Sequence, residues 1–249
     1  MNKKTKKILL ICLTIIFLGI FAFSTFQVVN FLIRSKAERD YTDNISDNYS
    51  IDVEVDDEEK DICPKKVDFK ALKERNEDIV AWIYCEDTVI DYPIVKGKNN
   101  DEYIRHNLDH KWTVSGTLFV DSRNSADFSD YNTIIYGHNM YNDGTMFASL
   151  SDYEKEGYYE AHPVMWLLTE NGNYKLEPVM GYVTSSSSAS YEIFQDLVSL
   201  RNHINYSIKD SVFKSNVEPE SVNKLVTLST CSYEFESARF VLCLSATKV

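Results

Sequence analysis

One stretch of this chain cannot sit at the edge of a soluble domain. Between residues 8 and 33 nothing ionises except the thiol of Cys12, and residues 8–26 are apolar on every face. A helix that is apolar all round needs an apolar environment on all sides. The length of that run falls within the roughly 17–25 residues that an α-helix needs to cross a bilayer. Lys3, Lys4, Lys6 and Lys7 precede it. The positive-inside rule then keeps the N-terminus in the cytoplasm and places the remainder outside. A cleaved signal peptide is the rival reading, but its apolar region spans about 7–15 residues and ends at a small-x-small site. Here the run is longer, and residues 27–33 follow it without such a site. The expected organisation is a cytoplasmic tail over 1–7, a membrane anchor over 8–33, an acidic extracellular tether over 34–66 and a folded extracellular domain over 67–249.

Charge divides the chain in the same way. Its 249 residues hold 26 basic and 38 acidic side chains, a net −12. Residues 1–35 contain five basic side chains and no acid, so the rest carries −17. That balance argues against broad nucleic-acid binding, which uses Lys and Arg to neutralise phosphates. Residues 36–61 set eleven acids against Lys36, Arg39 and Lys60, with no hydrophobic period over 55–61. Such a segment is expected to repel itself and to extend as a tether. It lacks the Gly and spaced ligands of an EF-hand loop. The five cysteines have no regular spacing, which excludes a disulfide-dense scaffold and gives no zinc pattern. A Cys63–Cys85 pairing stays open at this level.

Beyond residue 66 the pattern is mainly β. A helix over 67–78 is expected, capped by Asp68, with Val67 and Leu72 at the positions of a hydrophobic staple. Eight short apolar runs read as strands: 79–85, 88–95, 116–121, 133–136, 164–169, 174–184, 225–230 and 239–246. Asn171-Gly172-Asn173 marks a hairpin between the fifth and sixth. Short helices are expected over 100–108 and 145–153. A longer one over 191–207 has Ile193, Leu197, Leu200 and Ile204 on one face. Eight strands with few helices point to a barrel or a sandwich.

Few residues in the extracellular part can carry chemistry. Cys231 ends the run 225–230 and opens a polar stretch, so its sulfur can lie at a rim, although a buried strand cysteine behaving as a small hydrophobe fits equally well. Cys243 lies in wholly apolar surroundings. His138 follows a strand in Tyr136-Gly137-His138, where Gly permits a tight turn; a solvated loop histidine is the plain alternative. His106 and His110 are four apart with no HExxH glutamate between them, and read as surface residues. Arg239 opens the strand after Cys231. It is either an edge charge or, if the two strands pair, a guanidinium beside the thiol that can hold an oxyanion or a carbonyl.

Taken together, these residues resemble a sortase of class B. Thr227-Leu228-Ser229-Thr230-Cys231 matches the family's TLxTC motif, with Arg239 on the next strand and Ile135-Tyr136-Gly137-His138 upstream. Segments 91–95, 116–121 and 145–147 also look like the class B pattern, and the similarity covers roughly 67–249. The resemblance implies an eight-stranded sortase barrel with N-terminal helices and a long helix before the cysteine strand. It implies a transpeptidase that cuts an NPxTx-like C-terminal sorting motif after Thr, forms a thioacyl enzyme and passes the acyl group to an amine. Its expected partners are secreted proteins bearing that motif, peptidoglycan or its lipid-linked precursor, and the membrane through 8–33. By position Cys231 is the nucleophile, His138 the acid/base and Arg239 the oxyanion or substrate stabiliser. Ser229, Asn100, Ile104, Ser187 and Tyr191 align with substrate-contacting positions. No metal or organic cofactor is called for. Two alternatives stand beside this: a pilin-polymerising sortase, often with a C-terminal membrane segment not expected here, and a silent anchored domain that binds peptide without cutting it. A papain-like protease fits poorly, because His precedes Cys and no CGxCW-like segment occurs.

Overall fold

The computed structural model describes residues 2–55 and 62–249. They group into two compact units, Met1–Asp43 and Asn44–Val249. The first is helical. Helix α1 spans Lys3–Tyr49 and, among the described residues, is the one helix long and apolar enough by length and composition to cross a membrane. Within its apolar part, Thr14 and Thr25 donate to the carbonyls of Leu10 and Phe21 at 2.9 Å. In an apolar medium that back-bonding removes the cost of an unpaired O–H.

Residues 36–49 are helical, not the extended tether their charge suggested. In the second unit, burial at one position accounts for the order near the helix end. Ile45 is fully buried, and Ser46 donates to Asp91 Oδ2 at 2.5 Å. Strand β1 (Ser50–Asp52) then pairs antiparallel with β2 (Lys65–Val67). Lys65 Nζ, nearly buried, lies 2.8 Å from Asp91 Oδ2 and 3.2 Å from Asp52 Oδ1. Burial lowers its pKa, but the two carboxylates more than offset this and the net shift is upward. Asp91 also accepts from Trp82 Nε1 at 2.7 Å. The acidic run over 56–61 lies outside the described residues.

Helix α2 (Phe69–Arg75) begins where Asp68 accepts from the Ala71 N–H, as the cap predicts. The barrel strands follow as β3 (Ile79–Tyr84), β4 (Asp91–Val95), β5 (Leu118–Val120) and β6 (Asn132–Tyr136). A small ribbon of β7 (Asn139–Met140) and β8 (Thr145–Met146) comes next, then helix α3 (Tyr158–Ala161) and strands β9 (Met165–Leu168) and β10 (Tyr174–Ser185). Helix α4 (Leu197–Ser207), β11 (Leu225–Cys231) and β12 (Ala238–Lys248) complete the chain. Eight strands close into a barrel in the order β10-β12-β11-β6-β5-β4-β3-β9. β11 with β6 and β4 with β5 are parallel; the other barrel neighbours are antiparallel. The eight strands read from the sequence are these eight, because each is a β-rich run bounded by turn residues.

Strand alternation separates two cores. Val226, Leu228, Ile135, Phe240, Leu242 and their neighbours fill the interior. Leu225, Ile134, Val241 and Cys243 face outward, under Leu200 and Ile204 of α4.

Three expected helices differ. Residues 100–108 form turns because their carbonyls are taken elsewhere. Those of Tyr103 and Arg105 accept from the Thr117 and Thr113 N–H groups, and that of Ile104 from a histidine ring. Residues 148–154 form a 3₁₀ helix, not an α-helix. The long helix begins at Leu197 and not at 191. Asn132 draws the carbonyls of Ser190 and Glu192 into hydrogen bonds, and Asp196 caps the later start through the Ser199 N–H. Cys63 and Cys85 are both free and buried, and burial pushes each thiol up to about 11.

Candidate active site

Register alone brings three of the sequence-selected residues together. β11 lies between β6 and β12, and Cys231 is its last residue. On one side Cys231 is the Cα partner of Arg239. On the other, the parallel pairing with β6 ends at Ser229↔Tyr136, so His138 stands two residues beyond the last pair, level with Cys231. Side chains alternate along strands, and Val226, Leu228 and Phe240 point into the barrel. Ser229, Cys231, Arg239, Tyr136 and His138 therefore share its outer face. Cys231, His138 and Arg239 are each partly exposed.

Glycine makes the histidine's position possible. A Cβ on Gly137 would come within 2.4 Å of Leu118 Cδ2 and 2.5 Å of Phe147 Cδ2. The residue before His138 thus packs its backbone onto Leu118 and Phe147 of the interior core, and any side chain would lift the strand end. His138 is held from two sides. Its carbonyl accepts from the Phe147 N–H at 3.0 Å, and its Nε2 lies 2.8 Å from the Ile104 carbonyl. A carbonyl only accepts, so Nε2 carries the proton in that contact. Ile104 is itself placed by Gly116, at φ +62°, where a Cβ would lie 2.4 Å from the same carbonyl oxygen.

Below the thiol on the same face lies a buried polar network. Tyr191 Oη and Ser229 Oγ are 2.8 Å apart, and the Tyr191 ring stacks on Tyr136 with centroids 6.0 Å apart. The Tyr136 hydroxyl donates to Asp121 Oδ2 at 2.9 Å. Arg123 binds both Asp121 oxygens and donates to the Tyr191 carbonyl at 3.0 Å. Burial raises the Asp121 pKa, but the Arg123 guanidinium and amide together with the Tyr136 hydroxyl outweigh it and hold the carboxyl near 2. Burial pushes the Tyr191 phenol up. Ser229 is nearly inaccessible, so its hydroxyl meets Tyr191 and is not displayed to solvent.

The remaining selected residues, Asn100 and Ser187, lie on separate loops. Asn100 Oδ1 accepts from the Ser122 N–H at 2.7 Å, next to Arg123. Ser187 is exposed in the turn after β10, its hydroxyl 3.0 Å from that of Ser185. β10 ends beside the start of β12, with Thr184 opposite Arg239, so this turn leaves the barrel at the same rim. Three residues of the network, and Asn139 beside it, were not singled out from the sequence. Tyr136 stood in the Tyr-Gly-His triplet and Asp121 closed a recognised segment, whereas Arg123 gave no signal. Asn139, adjacent to His138, donates from Nδ2 to the Cys231 carbonyl at 2.9 Å. Among the described residues no group of three or more His, Cys, Asp or Glu side chains is placed to hold a metal ion.

A thiol at a strand end, an imidazole level with it and a guanidinium opposite it can carry out nucleophilic acyl transfer. No protein-family model matches the chain. Sortase B of Listeria monocytogenes is 33% identical over 244 residues, covering 96% of this chain and 97% of that protein. The structure of sortase B from Bacillus anthracis superposes with a TM-score of 0.73 at 29% identity, covering 88% of this chain and 100% of that one. A Staphylococcus aureus sortase B–substrate complex gives 0.66 at 30% identity, covering 73% and 85%. The barrel, the placement of these residues and this similarity along nearly the whole length agree: the chain belongs to the sortase B family of cysteine transpeptidases.

Proposed function

We propose that this chain is a membrane-anchored transpeptidase that cleaves an NPxTx-like C-terminal sorting motif after Thr and transfers the protein to a peptidoglycan amine. The observation that carries the reading is the shared outer face of His138, Cys231 and Arg239 at one end of three neighbouring strands. Cys231 thiolate attacks the Thr carbonyl, and the oxyanion that forms is stabilised by the Arg239 guanidinium. Imidazolium His138 gives a proton to the departing amide nitrogen as the C–N bond breaks, leaving a thioester and a neutral ring. The incoming amine attacks that thioester, loses a proton to His138 and releases Cys231 as thiolate. With Nε2–H engaged by the Ile104 carbonyl, Nδ1 is the nitrogen that exchanges the proton. The Ile104 carbonyl then orients the ring as a carboxylate does in a catalytic triad.

Ser229, Tyr191, Asn100, Ile104 and Ser187 are assigned to the side along which the sorting peptide lies. Ser229 and Tyr191 act from beneath, by stiffening the floor. The apolar part of α1 supplies the anchor, with Lys3, Lys4, Lys6 and Lys7 on the cytoplasmic side and the barrel outside. Mass spectrometry of the full chain and its Cys231→Ala variant, incubated with NPxTx and SPxTx peptides with and without an amine, tests the reading. Cleavage after Thr that needs Cys231, with ligation that needs the amine, supports it. Absence of both cleavage and acyl adduct across the panel moves the weight to a peptide-binding role.

A further inference from the structure

Where β6 leaves β11, a side chain takes over from the backbone. The parallel register runs from Leu225↔Asn132 to Ser229↔Tyr136, and the Gly137 N–H donates to the Ser229 carbonyl at 3.1 Å. Parallel ladders repeat every second residue. The next rung in this register would join the Asn139 N–H to the Cys231 carbonyl. At Asn139 the chain instead turns into the β7–β8 ribbon, opposite Met146. The rung to Cys231 is made by Asn139 Nδ2, at 2.9 Å. The other half of the same amide, Oδ1, is buried with no hydrogen-bond partner. Such an orphan acceptor opposes folding, and a small apolar residue would not incur it. What Asn139 contributes is therefore the bond made by its nitrogen.

That substitution changes a distance. Strands in a continuous ladder stand about 4.8 Å apart. On the outer face, His138 and Cys231 would then be immediate neighbours with no room for a substrate carbonyl between them. A rung that is a side chain long keeps the two strand ends joined while holding them farther apart. We propose that Asn139 is a positioning residue that sets the gap between the Cys231 thiol and the His138 imidazole. It ties the nucleophile's carbonyl to the residue directly after the acid/base. The proposal rests on the reading of Cys231 and His138 given above.

The test uses the full-length chain in detergent micelles as Asn139→Ala, Asn139→Asp and Asn139→Gln. Asp matches Asn in shape but has no N–H to donate; Gln keeps the donor on a longer arm. Iodoacetamide alkylation of Cys231, located by peptide mapping, is followed against pH alongside turnover of a sorting peptide and thermal unfolding. In the Ala and Asp variants the alkylation profile shifts and kcat falls by about 10- to 100-fold with KM nearly unchanged. Gln moves both part of the way back, and cooperative unfolding is retained throughout. An alkylation profile identical to wild type in Ala and Asp overturns the proposal. So does a loss of kcat that follows only loss of folded protein, without recovery in Gln. A wild-type chain that cleaves no peptide overturns the functional reading alone, since the alkylation profile still decides on Asn139.

Discussion

Cys231 and Arg239 are directly opposed Cα partners at the end of the antiparallel pair β11–β12. Strand pairing thereby sets the two residues side by side, and the Arg239 Nη1 donates to the Ala238 carbonyl at 2.9 Å. Arg239→Ala is expected to lower kcat/KM for a sorting peptide by about 100- to 1,000-fold, the scale of losing one oxyanion donor. Arg239→Lys keeps the charge but loses the planar fork and should recover only part. Steady-state kinetics beside thermal unfolding checks this; an Ala variant with full activity would contradict the assignment.

Gly137→Ala tests the close approach that seats His138. The new methyl would strike Leu118 and Phe147 at 2.4 and 2.5 Å, both inside the barrel. Overpacking of this kind costs about 1–3 kcal/mol, read as a lower denaturant midpoint. Because the displaced residue precedes His138, activity should fall even at temperatures where the variant is fully folded.

Acid stability depends on Asp121. Its folded pKa is near 2, below the unfolded value of 3.8. A carboxyl depressed in this way contributes stability above its unfolded pKa and loses it as pH falls towards the folded one. The contribution is about 2 kcal/mol, present at pH 5 and lost progressively as pH falls through the folded pKa of about 2. Asp121→Asn should therefore be less stable than wild type at pH 6, and the difference should shrink steadily below pH 4. Urea denaturation at a series of pH values measures it; a constant difference down to pH 2 would refute the account.

The Tyr191–Ser229 hydrogen bond gives an asymmetric double-mutant cycle. Tyr191→Phe leaves the buried Ser229 hydroxyl without its partner, at a cost of about 1–3 kcal/mol. Adding Ser229→Ala removes the orphaned group and should restore part of the loss. Denaturant unfolding of the four proteins checks this, and strictly additive losses would show that the two hydroxyls act independently.

The barrel was readable because each of its strands is a short β-rich run with its own turn signals, so local pattern and global fold agree. The meeting of Cys231, His138 and Arg239 at one rim was legible because all three stand at strand ends. What was not readable depends on bonds between distant positions. Residues 100–108 look helical until Thr113, Thr117 and His138 claim their carbonyls. The helix start at Leu197 is set by Asn132, more than sixty residues earlier. The acidic residues 36–49 carry no pattern that announces the burial of Ile45. Arg123 and Asn139 look like ordinary loop residues until Tyr191 and Cys231 are brought against them.

Cys231 hangs on the outside of a barrel whose inside is filled. Alternate residues of β11 thus answer to different demands: Val226 and Leu228 to the volume of the interior, Ser229 and Cys231 to the polar partners and the rim of the outer face. Inward positions can exchange one aliphatic group for another of like size without the reaction registering it. Insertion or loss of a single residue between them would exchange the two sets and turn the thiol into the packed interior. The enzyme is therefore tolerant of drift in its filling and intolerant of any shift in its phase.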